Sequence, residues 1–333
     1  MKMKKLLIAI LGVSALAAVS CAVDPEEDSY ASYDRVMEAW INTHFPGVKP
    51  YGTEGAYILD MSQGAGPAVT DSSYVWAHYV KRTLEGTVIS TNIMELAEQL
   101  GTYSNASFYG SDIWRVDQGY LPVSLEEVLK AMRSGGRASI AIPYSASNHE
   151  VSTYAAFSGT DEGTNVLIDL TIDTVVTDIM AWQDRAMKEW FQSRYPGTDT
   201  VSTGLYFKKL EEHTAETDTI ADGEEIKVRY IGRLLNGQVF DTNIQDTAKF
   251  YRIWDGSRSY DALSFTYHKP DTENLASDNG VVEGFAQAVA RMNYGEKAVT
   301  LFRSDLGYGE SGSGDFVPEY APLIFWLYVE PEE

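Results

Sequence analysis

The sequence predicts an α+β chain of two similar units, each an antiparallel sheet wrapped on a short helix and preceded by an amphipathic helix. Three observations predict it: a helical phrase written twice, strand-like alternation broken at Gly turns, and a short apolar-faced helix late in each half. DRVMEAWINTHFPG at 34–47 returns as DRAMKEWFQSRYPG at 184–197, an offset of 150 (184 − 34). In the second copy Met187, Trp190 or Phe191, and Arg194 or Tyr195 follow the 3, 4, 7 spacing of one helical face. Pro-Gly ends both copies, because Pro cannot continue a helix and Gly frees the chain to turn.

The similarity runs on past each helix. TEGAYILDM (53–61) stands where STGLYFKKL (202–210) stands, and YVWAHYVKRTLEGTVISTNI (74–93) lines up with EIKVRYIGRLLNGQVFDTNI (225–244). Both of the longer stretches alternate apolar and polar residues and turn at Glu-Gly or Asn-Gly, the signature of a hairpin. VSLEEVLKAMRSGGRASIAI (123–142) then matches VEGFAQAVARMNYGEKAVTLF (282–302), with Leu125–Met132–Gly135 answering Phe285–Met292–Gly295. Spacing i, i+4, i+7 puts Phe285, Val289 and Met292 on one helical face that should cover a sheet. Closing strands follow in NVLIDLTIDTVV and APLIFWLYVEPEE. Connections through hairpins, without long βαβ alternation, make the plan α+β.

The organisation that follows is a signal segment at 1–20, an acidic tether at 21–33, a first unit at 34–177 with its leading helix, a linking helix at 178–197 and a second unit at 198–333. Lys2, Lys4 and Lys5 precede the apolar run LLIAILGVSALAAVS, which reads as an export signal and is too short for a permanent span. The run meets Cys21, the only cysteine of the chain. A-V-S-C resembles a bacterial lipobox, which implies lipidation at Cys21 and a location in the cell envelope, anchored by lipid at the outer membrane. AVDPEEDS after it resembles the tether of surface lipoproteins of Bacteroidetes. A net charge of −22 without a basic patch excludes nucleic acid as a partner. The five histidines, at 44, 78, 149, 213 and 268, show no ligand spacing, so neither metal nor cofactor is expected.

From about 223 to 330 the chain resembles FKBP-type peptidyl-prolyl cis-trans isomerases. VRYIGRLLNGQVFDTN, VVEGFAQAVARMNYGEKAVTLF, LGYGESGSGDFVP and APLIFWLYVE carry the resemblance, in order and at matching spacing. It implies an apolar, aromatic-walled pocket for a prolyl side chain. The implied catalytic residues are Tyr230, Phe240, Asp241, Val282, Phe285, Tyr308 and Phe325, with Val281, Phe316 and Val317 binding substrate and a further wall from Leu263 or Phe265. The Gly-rich segment GYGESGSGD is implied to be a flap over that pocket. The family usually places Trp at the pocket floor, where this chain has Phe285; the apolar surface is kept and an indole N–H is lost.

In the first unit Tyr79 survives, Phe-Asp becomes Ile89-Ser90, the floor becomes Leu125 and the closing aromatic becomes Ile168. The apolar pattern of the fold is kept while the pocket chemistry is gone, so the first unit is expected to be a non-catalytic copy. The function expected of the whole is isomerisation of X-Pro bonds in proline-containing segments of exported proteins. The alternative is a non-catalytic chaperone or assembly module that grips unfolded or Pro-rich chains. Taken singly, Tyr230, Phe240 and Phe325 could also be ordinary strand core, and Asp241 a helix cap.

Overall fold

Both repeated phrases form helices, and each helix covers the outer face of the sheet that follows it. The computed structural model describes residues 25–116, 120–146, 164–213 and 219–332. The first unit runs α1 (Pro25–His44), β1 (Pro50–Tyr51), β2 (Ala56–Ser62), β3 (Tyr74–Thr83), β4 (Val88–Thr91), α2 (Met94–Leu100), β5 (Asp112–Arg115), α3 (Val123–Lys130), β6 (Arg137–Ile142) and β7 (Val166–Val176). The second runs α4 (Ile179–Arg194), β8 (Thr200–Ser202), β9 (Leu205–Glu211), β10 (Glu225–Leu234), β11 (Val239–Thr242), α5 (Gln245–Phe250), β12 (Leu263–Thr266), α6 (Leu275–Asp278), α7 (Glu283–Val289), β13 (Lys297–Phe302) and β14 (Leu323–Val329).

The two sheets have one topology. The first orders its strands β1-β2-β6-β7-β3-β4 with β5 paired to β3; the second orders them β8-β9-β13-β14-β10-β11 with β12 paired to β10. Adding seven to each first-unit label gives the second sheet, so the duplication read in sequence is a duplication of architecture. All pairings are antiparallel.

Period-two alternation divides each sheet into two apolar faces. On β14, Leu323, Phe325, Leu327 and Val329 join the inner core with Phe285, Val289 and Met292 from the α7 region. Ile324 and Trp326 point the other way, toward Met187, Phe191 and Trp190 of α4. The first unit repeats this, with Ile168 and Leu170 inside beside Leu125, and Leu167 outside beside Met37 and Ile41 of α1. Met37 and Met187, the same letter of the repeated phrase, are both fully buried. The phrase is written twice because each sheet needs a helix on its second face.

Two details differ from the sequence reading. Helix α1 starts at Pro25, so the segment expected as a tether through residue 33 is helical from there on; no Gly or further Pro interrupts it before the repeated phrase. Each unit also has more than one short helix besides its leading helix: α2 in the first, α5 and α6 in the second. The turn after β4 or β11 leaves the sheet edge and winds up before the chain returns, a local event that the period of the flanking strands does not report.

The units are in contact. Only two residues separate β7 from α4, whose Asp178 cap accepts a bond from Ala181 N–H at 2.9 Å. Trp76 of the first unit packs on Trp182 of α4 with ring centres 4.4 Å apart. Trp76, Ile113, Ile179 and Tyr320 form a buried cluster at this junction.

Candidate functional site

The site begins with a backbone lock on the β10–β11 pair. Tyr230 N–H donates to Asn243 Oδ1 at 2.9 Å, and Asn243 Nδ2 donates to Val228 O at 2.8 Å. Thr242 Oγ1 donates to Tyr230 O at 2.6 Å. A bulge between Gly232 and Arg233 shifts the register just before the turn. These bonds fix Tyr230 on one strand relative to Phe240-Asp241 on the other. Asp241 is not a helix cap, since α5 starts at Gln245 behind Ile244, without a side-chain cap.

Phe325 is the centre of a packed aromatic cluster. Its ring lies 5.1 Å from Phe285, 5.6 Å from Phe240 and 5.9 Å from Tyr230, each edge to face, and stacks on Phe302 at 5.8 Å. Phe285 meets Tyr230 at 5.6 Å. Edge-to-face geometry sets ring edges against ring faces and is worth roughly 0.5–1.5 kcal/mol per pair beyond burial. Gly232 makes room for it. A Cβ there would sit 2.7 Å from Phe240 Cζ and 2.9 Å from Phe325 Cε1, so any side chain would displace a wall.

One rim of the pocket is polar. Tyr230 Oη donates to Asp241 Oδ2 at 2.7 Å. Arg258 closes the triangle, with Nη1 donating to Asp241 Oδ1 at 2.5 Å and Nη2 to Tyr230 Oη at 3.1 Å. Burial, and then the charge of Asp241, push the Tyr230 hydroxyl above its ordinary pKa. The same two causes in the same order raise Tyr308, which places its hydroxyl within the field of Asp241. Both phenols therefore stay protonated near neutral pH; Tyr230 gives its one proton to Asp241, and Tyr308 can serve as a donor.

Arg258 was missed in the sequence. It lies in the insertion between α5 and β12, and only the path of that loop brings it back to Asp241. A lone Arg inside the Ser-rich run DGSRSYD was the available signal, and it is a weak one.

The remaining expected residues take these places. Val281 and Val282 lead into α7 and, with Phe316, are half-buried against the pocket core. Phe265 is fully buried and Leu263 half-buried on the same core, so β12 supplies a wall through both. Val317 is buried, and it also lines a cavity of about 330 Å³ that faces the first unit. Cys21 lies outside the described residues. Among the described residues, no group of three or more His, Cys, Asp or Glu is placed to hold a metal ion.

The first unit keeps the lock and loses the pocket. Tyr79 N–H donates to Asn92 Oδ1 at 2.9 Å, Asn92 Nδ2 to Ala77 O at 2.8 Å, and Thr91 Oγ1 to Tyr79 O at 2.8 Å. Lys81 stands opposite Ile168 as Gly232 stands opposite Phe325, and it is buried to 5% exposure. Ile89, at the position of Phe240, is 37% exposed where Phe240 is 7%. A Lys therefore stands where the second unit has Gly232 packed under two rings, and the residue at the position of Phe240 has become a surface residue. The segment corresponding to the Gly-rich flap falls largely at 147–163, outside the described residues.

With this geometry in hand, the comparison with known proteins is direct. Residues 216–329 match the family model of FKBP-type peptidyl-prolyl cis-trans isomerases, so the chain carries an FKBP-type domain, and it is the second unit. Over 129 residues the chain is 29% identical to FK506-binding protein 2 of Dictyostelium discoideum, covering 38% of this chain and 77% of that one. Over 130 residues it is 30% identical to the peptidyl-prolyl cis-trans isomerase Mip of Coxiella burnetii, covering 39% of this chain and 45% of that one. A solved peptidyl-prolyl cis-trans isomerase from Pseudomonas syringae is 22% identical, with 46% of this chain and 91% of that one covered at a TM-score of 0.33. The chain thus spans about half the length of several of the curated relatives it matches.

Proposed function

We propose that the second unit catalyses cis–trans isomerisation of X-Pro bonds in exported polypeptides, while lipid at Cys21 holds the chain at the bacterial cell envelope. The observation that carries this reading is the aromatic box of Tyr230, Phe240, Phe285 and Phe325 with the Tyr230–Asp241–Arg258 triangle at its rim. Rotation about an X-Pro amide costs about 18–20 kcal/mol because resonance must be broken. The twisted amide carries less charge separation than the planar one, so moving it from water into an apolar box favours the twisted form. Tyr308 hydroxyl and the Val282 N–H are the donors assigned to the substrate carbonyls. Asp241 and Arg258 hold the Tyr230 ring as a fixed wall. A barrier lowered by roughly 5–8 kcal/mol corresponds to about 10⁴–10⁶ in rate. The chemistry asks for no nucleophile, because no bond is made or broken.

The envelope location rests on the export-like first twenty residues and Cys21. No helix among the described residues is long and apolar enough to cross a membrane. A second reading, gripping of unfolded chains without turnover, draws on Phe250 at 78% and Trp254 at 48% exposure in and just after α5, at the start of the insertion that delivers Arg258.

The test is isomerisation of a short X-Pro peptide by the chain from Ala22 onward, beside Phe240→Ala and Asp241→Ala. Acceleration over buffer that falls about 10–100-fold in Phe240→Ala, equivalent to about 1.4–2.8 kcal/mol, supports catalysis. A folded wild-type chain that matches buffer refutes it and leaves chain binding as the reading.

A further inference from the structure

The loop between α2 and β5 of the first unit, residues 101–111, crosses to the second unit and touches two of the segments that build the pocket. On one side it meets the β10–β11 turn, which leads directly into Phe240-Asp241. Gln238 Nε2 donates to Ser107 O at 2.9 Å, and Asn236 Nδ2 reaches Tyr109 O at 3.5 Å. On the other side it meets the flap. The flap closes on itself as a small hairpin in which Ser313 N–H donates to Val317 O at 2.9 Å and Val317 N–H to Ser313 O at 3.2 Å. At its tip, Asp315 O accepts from Phe108 N–H at 2.6 Å. The Phe108 ring is half-buried against the core of the second unit, in the space also lined by Leu234, Pro318 and Ala321.

Contacts at the flanks continue the pattern. Arg115 lies 3.8 Å from Glu310, just after Tyr308 and Gly309. Tyr74 packs edge to face on Tyr320 at 5.0 Å. Tyr320 has φ +57°, an unfavourable backbone state for a bulky L residue that persists only where surroundings impose it. Here Tyr74 does so together with Gln183 of α4, whose Nε2 donates to Tyr320 O at 3.0 Å. The first unit thus meets the flap at its start, its tip and its end. A loop this rich in Gly, with Gly309, Gly312 and Gly314 all at positive φ, has little stiffness of its own.

We propose that Phe108 of the first unit is a positioning residue for the second unit's site: it fixes the Asp315–Val317 tip relative to Phe240 and so sets how tightly the flap holds substrate. This deepens the isomerase reading and rests on it. Phe108 takes no part in the hydrogen-bonded Tyr230–Asp241–Arg258 triangle or in the ring contacts of Phe285, so its loss weakens binding and leaves the pocket's stabilisation of the twisted amide in place. The first unit is then a brace for a catalytic neighbour.

The experiment uses the chain from Ala22 onward as wild type, Phe108→Ala and Phe108→Leu, read by X-Pro peptide kinetics and by hydrogen exchange of amides 311–317. The expected result for Phe108→Ala is KM raised about tenfold with kcat within about twofold. Exchange at 311–317 quickens while the β10 and β14 amides keep their protection, and Phe108→Leu recovers most of both effects. Equal KM and equal flap exchange in Phe108→Ala and wild type overturn the proposal. A loss of kcat with KM unchanged also overturns it, because the residue would then act on the pocket. If even wild type lacks turnover, the isomerase reading fails by itself. Flap exchange then decides the brace separately: faster exchange in Phe108→Ala supports it, and unchanged exchange overturns it.

Discussion

The two units share a strand order, a leading helix and a hydrogen-bonded lock, yet one gathers a cluster of aromatic rings on its inner face and the other does not. The shared part is the Thr-Asn-Ile turn after the hairpin. In both units the Asn side chain bridges a backbone N–H and a carbonyl of the neighbouring strand at the same distances, 2.9 and 2.8 Å. The part that differs is four side chains on the inner face: Gly232 against Lys81, Phe240 against Ile89, Phe285 against Leu125 and Phe325 against Ile168. The backbone bonds of the lock are common to both units, and the aromatic cluster belongs to one. The α–β loops carry the same lesson. In the second unit that loop folds back and delivers Arg258 to Asp241 of its own site. In the first it reaches outward and delivers Phe108 to its neighbour.

The sharpest way to break this comparison is to exchange the residue on which the two rings close. Gly232→Lys puts the first unit's residue into the second, with a Cβ too close to Phe240 and Phe325. Isomerase activity is expected to fall at least about 100-fold, the equivalent of about 2.8 kcal/mol. Overpacking should also lower unfolding stability by about 1–3 kcal/mol, measured in denaturant. Full activity in that variant would mean that the ring cluster around Phe325 is not the site.

A second test asks whether the locks are equivalent. Asn92→Ala and Asn243→Ala each strand a buried N–H and a buried carbonyl, and each should cost its own unit about 2–3 kcal/mol. If the units unfold separately, the two losses should appear in different transitions and be similar in size. A cost confined to Asn243 would show that the first unit's lock is a relic without energetic weight.

The third concerns charge at the boundary. Asp112 holds the β5 position that Leu263 holds on β12, each standing opposite its counterpart on β3 or β10. Burial, with the negative charge of Glu319 adding to it, raises the Asp112 carboxyl to about 7. A carboxyl raised above its unfolded value destabilises the fold once it ionises. Its contribution is most favourable below about pH 4 and is lost as pH rises to about 7. Asp112→Asn should therefore match wild type in stability near pH 4 and exceed it by a few kcal/mol above pH 7, as followed by thermal unfolding across that range. A difference that is flat with pH would assign the effect to packing.

The smallest expected effect is that of Arg258→Ala. Its ion pair with Asp241 is partly exposed, and such pairs are worth about 1 kcal/mol or less. Activity should fall about threefold to fivefold, and added salt should narrow the gap between variant and wild type, because screening weakens the pair.

The duplication, the leading helices and the α+β plan could be read from residue patterns, because those features are local or are fixed by period, whereas the site residues were implied by the family resemblance. Alternation tells which side chains share a face, and the 3.6-residue period tells which helix residues are buried together. Pro-Gly after each phrase ends a helix whatever surrounds it. Phe285 fell on a covering helix face for this reason, with Val289 and Met292, whereas Phe240 and Phe325 were assigned through the resemblance. The loops carried no such periodic signal. The segments 101–111 and 251–262 take their paths from contacts made far away in sequence, so Arg258 at Asp241 and Phe108 at the flap became visible only in three dimensions. The same holds for Gly232: its lack of a side chain gains meaning only from the two rings that close over it, one from the neighbouring hairpin strand and one from the last strand of the chain.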